Sequence, residues 1–519
     1  MRSFLITLSA VLLSITLNAQ LSTTEIDHLM EDCMQKFEVA GAAIGIVKDG
    51  AVVYTKGYGV TNIDHPAPVN AQTTFAIGSI TKAFTTAALA ILVDEGKLSW
   101  SDHVVDYLPE FKMYNPYVTE HFTIEDLLTH RSGLGLGAGD LMFLPDGSDF
   151  TIHDVLTNFQ YFEPVSEFRT QFDYDNLLYF VAGELIHRVS GMRWEKFVQT
   201  RVLEPLGMNH SWCSFEQMGS NQNLADPHST ETGEMRVVHH FRMDPEKMNS
   251  APGGILSCTE DMCKWMLLQL NKGNYGEDLE QQLFSERNHR QMWQIHTVTG
   301  VNPHSIYHTH FAGYGLGWEL GDMAGSLRVS HLGGLPGMLS MLLMLPDINF
   351  GVIVLTNTSL GGAGLFSAVA QTLADSYLGL EDNHWPDKYM AQMQYMQSNA
   401  DSVTVNVWRT VQAADDSHIH PGDYTGTYAD KWFGRVEISL RDGQLWFRSL
   451  RSPKLNGQMQ YYHANAFAIK WEYLDMNGDA FAMFSLDENG KATGMKMKGI
   501  SPLIDFSFDF QDLDFERVE

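Results

Sequence analysis

The chain reads as an α+β protein: an antiparallel sheet drawn from both ends of residues 20–380, a helical block inserted between those ends, and a small antiparallel β-barrel over residues 418–519. Three observations predict this. Residues 42–48 and 51–56 flank Asp49-Gly50, a hairpin signal close to the N-terminus. Residues 339–345 and 351–356 are near-continuous apolar strands joined by Pro346-Asp347-Ile348-Asn349, the pattern of a hairpin buried on both faces. From Tyr424 the texture changes to short alternating strands separated by glycine and asparagine turns. Strands at both ends of one unit, with helices between them, imply that the two hairpins share a sheet.

The elements follow in order. Arg2, an apolar run over residues 4–17 and Asn18-Ala19-Gln20 read as a secretory signal peptide over residues 1–19, with cleavage after Ala19. The apolar run is shorter than the ~20 residues of a membrane span. No cysteine follows the cleavage point, so lipid anchoring is not expected, and no later apolar run is long enough to cross a bilayer. The protein is therefore expected to be exported, to the periplasm or beyond the cell, with no membrane association after cleavage.

A short helix is expected over residues 24–37. A longer one opens near Ser79, with apolar residues at Phe84, Ala88, Ile91 and Leu92 and a stop at Gly96. Thr123 with Asp126, and Thr151 with Asp154, are capping-box patterns that open two helices. Further helices are expected over 177–189, ending at Ser190-Gly191, and over 195–202. Ser257-Cys258-Thr259-Glu260 reads as another capping box, opening a helix through Trp265 and Leu270, and a helix over 365–377 closes the unit. Residues 381–417 are polar, with a weak helical pattern around 389–396, and read as a linker. In the tail, residues 432–440 and 444–447 flank Asp442-Gly443 as a hairpin, and Asn477-Gly478 and Asn489-Gly490 mark later turns.

Composition excludes several function classes. The chain has 519 residues, 44% hydrophobic, enough for large cores. Lys+Arg 34 against Asp+Glu 63 gives a formal charge of −29, which argues against nucleic acid or an anionic membrane as partner. Cys33, Cys213, Cys258 and Cys263 are expected as buried free thiols. His304, His308 and His310 lack a metal-ligand pattern, there is no His-Glu-x-x-His, and Asp475 to Asp479 imitates a calcium loop without its glycine and distal glutamate. No metal or cofactor is expected.

The chemistry starts at Ser79 and Lys82. On a helix i and i+3 share a face with Cβ atoms ~5–6 Å apart, so the lysine reaches the serine hydroxyl and forms a nucleophile and base in one turn. Taken alone, the pair reads sooner as an N-cap serine with a solvated lysine one turn on than as an active site. Tyr174 and Asn176 are two residues apart in an extended stretch and so point the same way; alone, they read as a hydrophobic staple and a helix cap. In His331-Leu332-Gly333-Gly334, His331 is placed toward a cleft, Gly333 permits close backbone approach to a ligand, and the Gly334 N–H joins the Ser79 N–H as an oxyanion hole. Alone, a histidine beside a glycine turn is ordinarily structural.

Together, Gly78-Ser79-Ile80-Thr81-Lys82, Leu127-Leu128-Thr129-His130-Arg131-Ser132-Gly133-Leu134, Tyr174-Asp175-Asn176, Glu204-Pro205-Leu206-Gly207-Met208, Gly253-Gly254-Ile255-Leu256-Ser257, Tyr314-Gly315-Leu316-Gly317-Trp318 and His331-Leu332-Gly333 resemble, in order, the β-lactamase-related serine hydrolases. That group includes class C β-lactamases, D-Ala-D-Ala carboxypeptidases, D-aminopeptidases and esterases. The resemblance covers residues 25–380 and implies a β-lactamase/transpeptidase-like fold. It implies Ser79 as the acylated nucleophile, Lys82 as its base, Tyr174 as proton shuttle and Asn176 as holder of the substrate amide, with His331, Gly333 and Gly334 binding substrate.

His331 stands where β-lactamases carry the lysine of Lys-Thr-Gly. A neutral imidazole is a poorer anchor for a substrate carboxylate, so a peptidase or esterase acting on a small D-amino-acid-containing peptide or an ester is expected over a β-lactamase. The alternatives are a non-catalytic penicillin-binding or sensor module that keeps the fold, and a weak class C-like β-lactamase. The tail resembles the lipocalin-like C-terminal domain of some D-amino-acid peptidases, which implies that it assists homo-oligomerisation or shapes substrate access.

Overall fold

The computed structural model describes residues 20–518 apart from 222, 232, 303 and 304, so the expected signal peptide and His304 lie outside the described residues. Helix α1 (Thr23–Lys36) leads into the hairpin β1 (Gly41–Lys48) and β2 (Ala51–Gly59). The sheet resumes only with β3 (Thr297–Val298), β4 (Ala312–Tyr314), β5 (Glu319–Met323), β6 (Ser326–Leu335), β7 (Met338–Leu345) and β8 (Phe350–Thr356). Among the described residues these form one antiparallel sheet in the order β2-β1-β8-β7-β6-β5-β4-β3. The two ends of the unit meet where β1 runs beside β8, from Ala42 opposite Thr356 to Lys48 opposite Phe350.

The apolar runs of β1, β7 and β8 are explained by layers on both faces. Ile44, Ile46, Leu343, Val352 and Val354 pack with Ile26 and Met30 of α1 and with Val369 and Leu373 of α5 (Gly361–Leu378). Ala43, Leu342, Met344, Ile353 and Leu355 face the other core, which contains α2 (Thr81–Asp94), α3 (Leu177–Ser190) and α4 (Thr259–Leu270). Helix α2 runs through that core with every residue from Thr81 to Leu92 buried, and Phe84 stacks on Trp265 with ring centroids 3.8 Å apart. A helix so enclosed carries its polar groups into the interior, and Lys82 is one of them.

Thr123 and Thr151 both make their capping boxes, although the first opens a single turn, Ile124–Leu127. The box expected at Ser257 does not form. Helix α4 starts one residue later than that box implies, with Cys258 as its N-cap, and Ser257 lies in a short strand with its hydroxyl 2.8 Å from that of Ser211. The polar segment after 380 is one long helix, α6 (Trp385–Ala413), which packs on α5 through Trp385, Tyr389 and Met393 and so gains from burial what its weak periodicity does not supply. All four cysteines are free and buried.

The strands β9 (Gly426–Asp430), β10 (Gly434–Arg441), β11 (Gln444–Ser449), β12 (Asn456–His463), β13 (Ala466–Trp471), β14 (Ala480–Leu486), β15 (Ala492–Gly499) and β16 (Asp514–Arg517) close into a barrel. Alternate residues such as Val436, Ile438, Phe447, Phe467 and Phe484 are buried, the period-two pattern of a filled barrel. The barrel packs on the helical block: Phe433 meets Phe150, Trp432 meets Phe162, and Arg451 pairs with Asp149 and Asp154 at 2.7 and 3.0 Å.

Candidate active site

Ser79 lies in a 3-10 turn, Gly78–Ile80, that runs directly into α2. The turn is pressed against β6. Gly78 has φ +51, and a Cβ there would lie 2.5 Å from the Gly334 nitrogen. A Cβ at Gly333 would collide with the Ile77 carbonyl oxygen and with Ser340 Oγ. The glycine at 333 therefore permits close approach of β6 to the serine turn. The contact brings the exposed Gly334 backbone beside Ser79.

Lys82 is fully buried, and its Nζ lies 3.0 Å from Ser79 Oγ, 2.7 Å from Asn176 Oδ1 and 2.9 Å from the Pro252 carbonyl oxygen. Burial pushes the ammonium down to about 7, although the carboxyls of Asp140 and Asp175 favour its charged form. In the neutral amine, Asn176 and Pro252 accept its two N–H bonds and the lone pair is left for the Ser79 hydroxyl. The rings of Tyr174 and Tyr179 lie 4.8 and 5.2 Å from Nζ and complete its enclosure.

Asn176 stands at the start of α3 but makes no side-chain cap; Asp175 serves the helix instead, accepting from the Leu178 N–H. That frees Asn176 to bridge Lys82 and Asp140 Oδ2, the latter at 2.8 Å. Burial holds the Tyr174 phenol well above the usual range, against the opposing influence of the Ser79 hydroxyl. Its ring stacks on His130 at 4.2 Å, and His130 Nδ1 accepts from the Asp175 N–H at 3.0 Å. His130 has φ +53 in the segment held by Arg131 and Arg169, which both bond Asp126 at 2.9 Å.

His331 is buried at 2% exposure. Its Nδ1 is 2.6 Å from the Leu332 carbonyl oxygen, so this nitrogen carries the proton and Nε2 accepts from the Tyr314 hydroxyl at 2.8 Å. Burial, followed by the charge of Lys82, pushes the imidazole down to about 3, so the ring is neutral. The structure thus brings Ser79, Lys82 and Asn176 into one bonded cluster, with the Tyr174 ring against the Lys82 amine and His331 behind it. A cavity of about 280 Å³ adjoins Gly334 and Leu335, walled by Phe241 on one side and by Tyr473, Met476 and Phe508 of the barrel on the other.

A family model described as Beta-lactamase matches residues 26–374. The chain belongs to the Beta-lactamase family. Residues 416–517 match a second model, described as a domain of unknown function (DUF3471). Among relatives, Unguisins hydrolase ungD of Aspergillus violaceofuscus is 27% identical over 87% of this chain and 81% of its own length. Protein flp of Staphylococcus aureus is 30% identical over 65% of this chain and 63% of its own. Among solved structures, the octameric penicillin-binding protein homologue from Pyrococcus abyssi aligns over 95% of this chain and all of its own with a TM-score of 0.60 at 22% identity. A penicillin binding protein from Bacillus halodurans covers 66% of this chain and 98% of its own, with a TM-score of 0.53 at 23% identity.

In this Beta-lactamase family protein, sequence reasoning missed four contributors to the site. The Pro252 carbonyl has no residue-type signal. His130 and Tyr314 lay within the motifs of the resemblance without an assigned role, and for Tyr314 the flanking glycines were the available clue. Asp140 had no signal at all. Among the described residues, no helix is long and apolar enough to cross a membrane.

Proposed function

We propose that this protein is an exported serine hydrolase that works through an acyl-enzyme on a small D-amino-acid-containing peptide or an ester. In this reading Lys82 takes the Ser79 proton as Oγ attacks the substrate carbonyl carbon, and the N–H groups of Ser79 and Gly334 stabilise the oxyanion. Tyr174 passes the proton to the departing amine or alcohol, and Asn176 holds the substrate amide. Water then attacks the acyl-enzyme, its proton returns through Tyr174 and Lys82 to Ser79, and the acid product leaves. The observation that carries the reading is the fully buried Lys82 amine 3.0 Å from Ser79 Oγ, with its pKa pushed down to about 7. A protonated lysine cannot act as the base, and this one is half-neutral at neutral pH.

The neutral, enclosed His331 supports a peptidase or esterase over a β-lactamase, because it offers no cation to a substrate carboxylate. The likeness to an unguisins hydrolase over most of the chain supports turnover over a non-catalytic sensor. Export is supported by the pattern of residues 1–19, and oligomerisation through the barrel by the fold shared with an octameric homologue. Intact mass after incubation with a fluorophosphonate and with penicillin tests the mechanism. A Ser79 adduct, absent in Ser79→Ala, is expected with the fluorophosphonate; no adduct with either reagent overturns the reading. Turnover of D-amino-acid amides, short esters and a chromogenic β-lactam then ranks the substrates.

A further inference from the structure

The hydrogen-bonded cluster at Ser79 continues into the barrel. Asp140 is fully buried, in the 3-10 turn Asp140–Met142 of the helical block. Its Oδ2 accepts from Asn176 Nδ2 at 2.8 Å and from Ser507 Oγ at 2.7 Å. Asp509, also fully buried, accepts from the N–H groups of Gly139 and Leu141 at 2.7 and 2.9 Å and so holds the backbone on both sides of Asp140. Phe506 sets its ring edge-on to Tyr174 at 5.7 Å, and its carbonyl oxygen lies where a Cβ on Gly137 would collide. Phe506, Ser507 and Asp509 all come from the loop between the last two barrel strands.

We infer that this loop completes the active site, with Ser507 and Asp509 fixing Asp140 as a positioning residue that sets Asn176 and, through it, the Lys82 amine. The inference rests on the catalytic reading of Ser79 and Lys82. Adhesion between the two units does not account for the arrangement. The apolar pair of Trp432 and Phe162 and the ion pairs of Arg451 with Asp149 and Asp154 already join them. A carboxyl buried without a bonded cation is costly, and Asp140 Oδ1 has no hydrogen-bond partner among the described residues. What Asp140 does touch is Asn176, one hydrogen bond from Lys82.

The groups facing Lys82 are Asp140 and Asp175, whose negative charge favours the ammonium, and Tyr174, Tyr179, His130 and His331, which surround it. Removing the Asp140 charge therefore lowers the Lys82 midpoint. Burial pushes the Asp140 carboxyl well above the usual range, and the bonds from Ser507 and Asn176 oppose it; removing Ser507 Oγ weakens the ionised form and so lowers the Lys82 midpoint less than Asp140→Asn does.

The test uses the full chain labelled with ¹³Cε-lysine. The Lys82 resonance is identified by its loss in Lys82→Arg, then titrated in wild type, Ser507→Ala, Ser507→Thr and Asp140→Asn, and fluorophosphonate labelling of Ser79 is timed in parallel. The expected result is a downward shift of the Lys82 midpoint in Asp140→Asn and a smaller one in Ser507→Ala. The plateau labelling rate is expected to fall about tenfold in Ser507→Ala and to recover to within about twofold in Ser507→Thr. Wild-type Lys82 titration and wild-type labelling in both Ser507→Ala and Asp140→Asn overturn the inference. A wild-type protein whose Ser79 takes no label defeats the catalytic reading, while the Lys82 titration still decides this one.

Discussion

At the scale of single residues, burial determines what Lys82 can do. The pKa of about 7 lies below that of a solvated lysine because the folded chain gives the ammonium no water. Below that pH the amine is protonated and cannot accept the Ser79 proton; above it the base form dominates. We expect kcat/KM to rise as pH increases through about 7 and then to level off. A limb placed near the ordinary lysine value would remove Lys82 from the role of base. Lys82→Arg keeps its proton at all working pH values, and a loss of about a hundredfold or more in kcat/KM is expected. Tyr314→Phe withdraws the hydroxyl from His331 Nε2 and leaves a buried acceptor unpaired. Chemical denaturation is expected to show a loss of about 1–3 kcal/mol. The spacing of Ser79 and Lys82 was legible in the sequence, but their solvation was not, since a lysine on a helix can be either exposed or enclosed depending on what packs over it.

At the scale of elements, the site depends on how closely β6 approaches the turn before α2. Gly333→Ala places a methyl group against the Ile77 carbonyl and forces the strand away from Ser79. A stability loss of about 1–3 kcal/mol is expected, together with at least tenfold slower ester turnover. Gly422→Ala, where an added Cβ meets nothing, serves as the control and is expected to stay within about 0.5 kcal/mol of wild type. Equal effects of the two substitutions would show that the β6 contact does not matter. The elements themselves were largely readable. Helices α2 and α3 and the hairpins β1-β2 and β7-β8 carry strong periods and turn residues, and two capping boxes formed as read. The failure at Ser257 has a simple cause: its hydroxyl found Ser211, a partner in a distant segment, so the helix started one residue later.

At the scale of the whole molecule, the barrel and the sheet unit share one continuous core and should unfold together. Trp432 is 3% exposed and packs on Phe162, while Phe433 packs on Phe150. Calorimetry is expected to show a single transition in wild type. Trp432→Ala, which removes about 3–5 kcal/mol of buried packing, is expected to lower that transition as a whole. Two well-separated transitions in wild type would instead make the barrel an independent passenger.

The sequence by itself determined the local structures and the order of the motifs, because periodicity, capping and turn chemistry act between residues close along the chain. It also supplied Ser79, Lys82, Tyr174 and Asn176 as members of one ordered set. Only the tertiary structure decided that Pro252 O, His130, Tyr314 and Asp140 surround them, that Gly333 serves a backbone contact, and that a loop of the barrel reaches Asp140. Those contacts join residues up to 370 positions apart. Desolvation, the force that turns Lys82 from an ammonium into a base, arises from the packing of all of them at once.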